Sequence, residues 1–132
     1  MARVPVIRIG GILIATVQEE LFDSDALELQ ANLNELLERT GAGGVLIDLS
    51  VVETVDSFLG RVIGEIAVGS RLMGAQTVVV GIQPSVALTL VELGVKLTGV
   101  RTVLSADRGH ALLRQLIASD ARSNSRSVVR GR

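Results

Sequence analysis

The chain has 132 residues, 48% of them apolar, and a formal net charge of −1, which together predict a single domain with a substantial hydrophobic core. Phe22 and Phe58 are its only aromatic residues, so it lacks the platform on which single-stranded nucleic acids stack. The absence of cysteine excludes disulfides, thiolate catalysis and zinc–cysteine sites.

The charge is unevenly distributed along the chain. Residues 1–118 carry 9 basic and 13 acidic side chains, and this acidic balance argues against a DNA-binding surface. Residues 119–132 are polar and low in complexity, with four arginines and one aspartate, so we expect a disordered basic tail after one domain over residues 1–118. Without a long apolar run or a signal-peptide pattern, a cytoplasmic protein with no membrane partner is expected.

The first half of the chain predicts a hairpin, a helix and a buried strand. Residues 4–9 and 12–17 are typical of strands joined at Gly10-Gly11. An amphipathic helix of about 16 residues should begin at Asp23 or Ser24 and end at Gly41. The nearly continuous apolar run over residues 45–49 indicates a central strand that is covered on both faces.

The second half alternates helix and strand. Helices are expected over residues 57–73 and 84–93 and from Ser105 onward, with strands over residues 77–81 and 100–104. The order β-β-α-β-α-β-α-β-α predicts an α/β fold whose largely parallel sheet is made mixed by the initial hairpin.

The segment over residues 51–60 places a serine at a turn from strand to helix. Asp56 and Ser57 stand where the second helix should begin, and helix N-termini favour negative charge. A phosphate on Ser57 would change the local charge by about −1.5 to −2, which is enough for a switch. The alternative is that Asp56 or Ser57 serves only as a helix cap.

Two helices carry surfaces with two interpretations. The second helix aligns Ser57, Arg61, Gly64 and Val68 on one face, and its glycines serve either close packing inside the domain or a flat docking surface. The third helix is apolar nearly all round, which predicts self-association or a protein partner.

The residues that could carry enzymatic chemistry are few. Asp48, Glu53 and Asp56 gather near one strand end and could attract Mg²⁺, but no phosphate-binding lysine accompanies them. His110 is expected on a polar helix face beside Arg114, as a surface histidine. We therefore expect no enzyme, no cofactor and no metal.

Four segments of this chain resemble the STAS family, the domains shared by sulphate transporters and anti-sigma factor antagonists. The matching segments are GAGGVLIDL over residues 41–49, VDSFLG over 55–60, LMGA over 72–75 and GIQPSVALTLVELG over 81–94. Within that family the chain is most similar to the RsbS-type scaffold proteins of the bacterial stressosome. The resemblance covers roughly residues 4–118.

The resemblance implies a five-stranded STAS fold with four helices mainly on one face, and a non-enzymatic scaffold that holds a serine-kinase switch protein. It implies that Ser57 is the phosphoacceptor and that phosphorylation releases the kinase. The docking surface would comprise Asp56, Phe58, Arg61, Gly64 and Val68. The implied partners are the kinase, a sensor-bearing STAS paralogue, a phosphatase and further copies of the chain.

Phe58-Leu59 departs from the small residue and glycine that usually follow the serine in simple antagonists, which favours the scaffold branch. Two alternatives stay open. One is a monomeric antagonist that binds an anti-sigma kinase directly, and the other is a small nucleotide-binding enzyme that uses Asp48 and Asp56.

Overall fold

The computed structural model describes the backbone of residues 4–19, 21–97 and 99–130 and the side chains up to residue 122. Every predicted strand and helix is present, with bounds that differ from the prediction by one or two residues except at the last helix. The elements are β1 (Val6–Ile9), β2 (Ile12–Thr16), α1 (Asp23–Thr40), β3 (Gly44–Asp48), α2 (Ser57–Leu72), β4 (Gln76–Val80), α3 (Pro84–Glu92), β5 (Val100–Val103) and α4 (Ala106–Arg130).

The five strands form one mixed sheet in the order β1-β2-β3-β4-β5. β1 and β2 are antiparallel and pair Ile9 with Ile12 across the glycine turn, as the sequence predicted. The other three pairings are parallel. A parallel arrangement brings the ends of β2, β3 and β4 to the same edge of the sheet, where the connections to α1, α2 and α3 begin.

The helices pack on both faces of the sheet, three on one side and one on the other. α1, α2 and α3 cover the larger core, which contains Leu33 from α1, Ile63 from α2 and Val86 from α3. α4 covers a smaller cluster through Leu113. The expected α/β fold, with a mixed sheet and helices mainly on one face, is therefore confirmed.

The last helix is longer than expected. α4 continues to Arg130, so the backbone of residues 119–130 is helical where the sequence predicted a disordered tail. Extending a helix that has already nucleated needs no new first turn, so a polar segment can continue it more readily than composition suggests. The division between a domain over residues 1–118 and a tail stays a prediction, and residues 131 and 132 lie outside the described part.

Over the described residues, no helix combines the length and the apolar character that crossing a bilayer requires.

Candidate functional site

Asp56 and Ser57 have separate roles at the start of α2. Asp56 has an extended backbone, and its Oδ1 accepts a hydrogen bond from the Leu59 backbone N–H at 2.9 Å. Asp56 is therefore the helix cap. Ser57 is the first helical residue and is exposed, so its hydroxyl lies open to a partner.

The environment of Ser57 suits an added negative charge. The first turn of a helix presents N–H groups that have no partner within the helix, together with a partial positive charge. The first turn of α2 contains no acidic residue, and the neighbouring Asp56 carboxylate already accepts the Leu59 N–H. A phosphate on Ser57 would therefore sit at the favourable end of the helix while Asp56 retains the cap.

A groove of about 410 Å³ lies beside this turn, between the β2–α1 and β3–α2 connections. Phe22 and Phe58, the only aromatic residues of the chain, both line it, and Phe22 is 60% exposed. Glu19, Asp23 and Asp56 supply acidic groups to the lining. The site thus combines an apolar surface with negative charge.

Two of the predicted docking residues, Asp56 and Phe58, line this groove together with Phe22, Glu19 and Asp23, which the sequence did not link to them. The parallel sheet brings the β2–α1 connection next to Ser57, and no motif or spacing in the sequence links the two segments. The one available signal was that the only two aromatic residues each follow a strand by a short interval.

The other predicted docking residues lie on a neighbouring surface. Arg61, Gly64 and Val68 line a shallow depression with Lys96, and Val68 is 58% exposed. This surface is continuous with the first turn of α2 through the helix itself, since residues three and four apart share one face.

The two glycines in α2 serve different purposes: one allows close packing inside the domain, and the other lies on the open surface. A Cβ on Gly60 would lie 2.8 Å from Val95 Cγ1, so Gly60 allows close packing inside the domain. A Cβ on Gly64 would approach only the Lys96 carbonyl oxygen, at 4.0 Å, so Gly64 belongs to the open surface.

Two of the three carboxylates that could attract Mg²⁺, those of Asp48 and Asp56, are engaged elsewhere. Asp48 Oδ1 accepts hydrogen bonds from the Ser50 backbone N–H, at 2.9 Å, and from the Ser50 hydroxyl. Asp56 caps α2. Within the ranges that the structure describes, no three His, Cys, Asp or Glu residues are grouped so that they could hold a metal ion. His110 lies with Arg114 and Ile9 in a groove between the β1–β2 turn and α4.

The STAS domain family model matches residues 3–105. The chain belongs to the STAS domain family. This STAS chain is 31% identical over 97 residues to the RsbT co-antagonist protein RsbRA of Bacillus subtilis. The match covers 74% of this chain but 34% of RsbRA, so the STAS chain spans about a third of that relative.

Two solved structures resemble the STAS chain along most of its length. A serine-to-glutamate variant of RsbS from Moorella thermoacetica has a TM-score of 0.77 and 32% identity, over 86% of this chain and 97% of that one. A chain from a structure described as the molecular architecture of the stressosome, a signal integration and transduction hub, has a TM-score of 0.74 and 33% identity, over 85% and 97%.

These relatives confirm the STAS fold and the resemblance to RsbS and stressosome proteins. They support a regulatory role in stress signalling, and none of their descriptions is that of an enzyme.

Proposed function

We propose that this STAS domain is a non-enzymatic scaffold of a stressosome, which holds a serine-kinase switch protein and releases it when Ser57 is phosphorylated. The observation that carries the proposal is the separation of roles at α2. Asp56 supplies the cap, which leaves an exposed serine at the first helical position, beside a groove.

The groove supports kinase docking at this position. Its two phenylalanines give apolar area that a partner can cover, and its acidic residues favour a partner with basic groups nearby. The description of RsbRA as a co-antagonist of RsbT supports an RsbT-type protein as that partner, and we propose that this protein is the serine kinase that the family resemblance implies. Arg61, Gly64 and Val68 extend the proposed contact along α2.

Release would follow from charge at the point of contact. A kinase that modifies Ser57 must bring its nucleotide phosphates close to the hydroxyl, and a phosphoserine formed there repels those phosphates. The new charge also has to lose water when the partner covers it. Release needs little free energy, because about 1.4 kcal/mol changes a dissociation constant tenfold.

Exposed apolar side chains on α3 support the assembly part of the proposal. Leu88 is 60% exposed and Val91 76% exposed on a helix of nine residues. An apolar surface of this kind favours burial against another protein. We propose that it contacts further copies of the chain or a sensor-bearing STAS paralogue, while a phosphatase resets Ser57.

Two alternatives differ from this scaffold in measurable ways. A monomeric antagonist would bind one anti-sigma kinase and show no assembly by light scattering. A nucleotide-binding enzyme would gain thermal stability with millimolar nucleotide and Mg²⁺, because a ligand that binds the folded state stabilises it. The engagement of Asp48 by Ser50 does not favour the enzyme.

The test is phosphorylation by the RsbT homologue from the same source, followed by intact mass and peptide mapping. We expect one phosphate, on Ser57, in the wild type. Thr54→Ala is the matched control, because Thr54 is an exposed hydroxyl in the lining of the same groove, and it should still gain the phosphate. Ser57→Ala should stay folded and gain none. A phosphate at another position, or none on the folded wild type, would contradict the proposal.

A further inference from the structure

The β3–α2 connection, which leads to Ser57, is tied to the β4–α3 connection by a side chain. Gln83 precedes α3, at the position where a side chain often caps the helix. Its side chain makes no capping hydrogen bond and instead donates from Nε2 to the Ser50 carbonyl oxygen at 2.8 Å. Gln83 thus fixes the start of the β3–α2 connection at Ser50.

A glycine two residues earlier provides the space for this contact. Gly81 has a φ of 72°, in the left-handed region. A Cβ at Gly81 would lie 2.8 Å from Ser50 Oγ and 3.0 Å from Ser50 Cα. The absence of a side chain at Gly81 therefore lets Ser50 lie directly against the β4–α3 connection.

Residues at the end of β3 also fix the position of Ser50. Asp48 accepts its backbone N–H and its hydroxyl, and the Leu49 backbone N–H donates to the Val80 carbonyl oxygen at 2.9 Å. Beyond Ser50 the connection is attached to the core through two side chains, because Val52 is buried, Val55 is partly buried against the core, and the other residues over 51–56 are exposed. The position of Ser50 consequently sets where the segment that ends at Asp56 begins.

We propose that Gly81 and Gln83 are positioning residues for the phosphoacceptor: by fixing Ser50 they fix the β3–α2 connection, and so the presentation of Ser57 to its kinase. This inference rests on the proposed function of Ser57. Phosphoryl transfer depends on alignment of the acceptor oxygen, and a displacement of about 1 Å can cost as much as 10²-fold in rate.

Gly81→Ala tests the proposal, with Gly94→Ala as the matched control. Gly94 has a φ of 68°, and a Cβ there would meet no atom within 4 Å. Both substitutions place alanine in the left-handed region, and because this strain is the same at the two positions, it should lower Tm by similar amounts. Only Gly81→Ala also pushes against Ser50.

The measurements are kcat and KM for phosphorylation by the RsbT homologue, well below each Tm, and amide hydrogen exchange over residues 51–56. We expect Gly81→Ala to reduce kcat by about tenfold and to speed exchange in that segment, with Gly94→Ala within about twofold of wild type. If Gly81 had only a structural role, Gly81→Ala would change Tm and leave kcat for phosphorylation of the folded protein unaltered.

Gln83→Met keeps the test decisive if Gly81→Ala fails to fold. Methionine matches the length of glutamine without a donor, so kcat should fall, whereas Gln83→Lys restores a donor to the Ser50 carbonyl oxygen and should recover most of it. If Ser57 is phosphorylated in Gln83→Met with unchanged kcat and unchanged exchange, the inference is overturned.

If the wild type takes no phosphate on Ser57, the proposed function fails, and exchange over residues 51–56 still decides whether Gly81 and Gln83 hold the connection.

Discussion

At the scale of single residues, the function proposed here depends on Asp56 and Ser57 doing different things. Asp56 stabilises the start of α2 through the Leu59 N–H, and this leaves Ser57 available for chemistry. The sequence placed both residues at the helix start but left open which one was the cap. The choice depends on the backbone angles of Asp56 and on where its carboxylate points, which no spacing in the sequence specifies.

Replacement of Asp56 should separate capping from charge. Asp56→Ala removes the acceptor for the Leu59 N–H and should lower the free energy of unfolding by about 1 kcal/mol. Asp56→Asn keeps an oxygen acceptor, so it should retain most of that stability while it loses the charge. Urea unfolding measures both. Glu53→Gln, at an exposed carboxylate in the same connection, is the control for charge alone. Equal losses in Asp56→Ala and Asp56→Asn would show that the charge, rather than the cap, stabilises the helix.

At the scale of elements, α2 joins a buried face to the proposed docking face. Its buried residues include Val62, Ile63 and Ile66, which hold it on the sheet, while Arg61 and Val68 face outward. The sequence predicted this division from helical spacing, because the apolar period of a helix is a local property. It could not decide what Gly60 and Gly64 are for, since their neighbours come from Val95 and Lys96, far along the chain.

The two glycines should respond oppositely to alanine. Gly60→Ala should lower the free energy of unfolding by about 1–3 kcal/mol, because its Cβ would overlap Val95, a side chain with little freedom to move. Gly64→Ala should raise it by up to about 1 kcal/mol, since alanine favours the helix and the space is open. Thermal or urea unfolding measures the pair. A stable Gly60→Ala protein would mean that α2 and the chain around Val95 are less closely packed than the structure indicates.

The groove beside Ser57 illustrates what sequence patterns cannot supply. The strands, the helices and the exposed serine follow from local periodicity, caps and turns, and were predicted with small errors in their bounds. Phe22 and Phe58 line the same groove because β2 and β3 are parallel neighbours, so their connections leave the same edge of the sheet. α4 continues over residues 119–130, which composition did not indicate, because composition describes a segment alone and not one that extends an existing helix. The division between a domain and a tail stays a prediction.

At the scale of the whole molecule, the exposed apolar side chains of α3 are the proposed contact for assembly. Val91→Glu should reduce the mass measured by size-exclusion chromatography with light scattering, alone or with a STAS paralogue, because a buried charge opposes association. Its Tm should change little, as Val91 is 76% exposed. Leu104→Glu is the control, an 80% exposed leucine after β5. An unchanged mass in Val91→Glu, or an equal loss in Leu104→Glu, would remove α3 from the assembly.

In the proposed function, one phosphate on Ser57 releases a bound kinase. The most direct measurement is the affinity of the RsbT homologue for the purified unphosphorylated protein and for the protein carrying phosphate on Ser57 alone, by isothermal titration calorimetry. We predict that phosphorylation weakens binding by about tenfold or more, equivalent to at least about 1.4 kcal/mol. Equal affinity for the two forms would contradict the account.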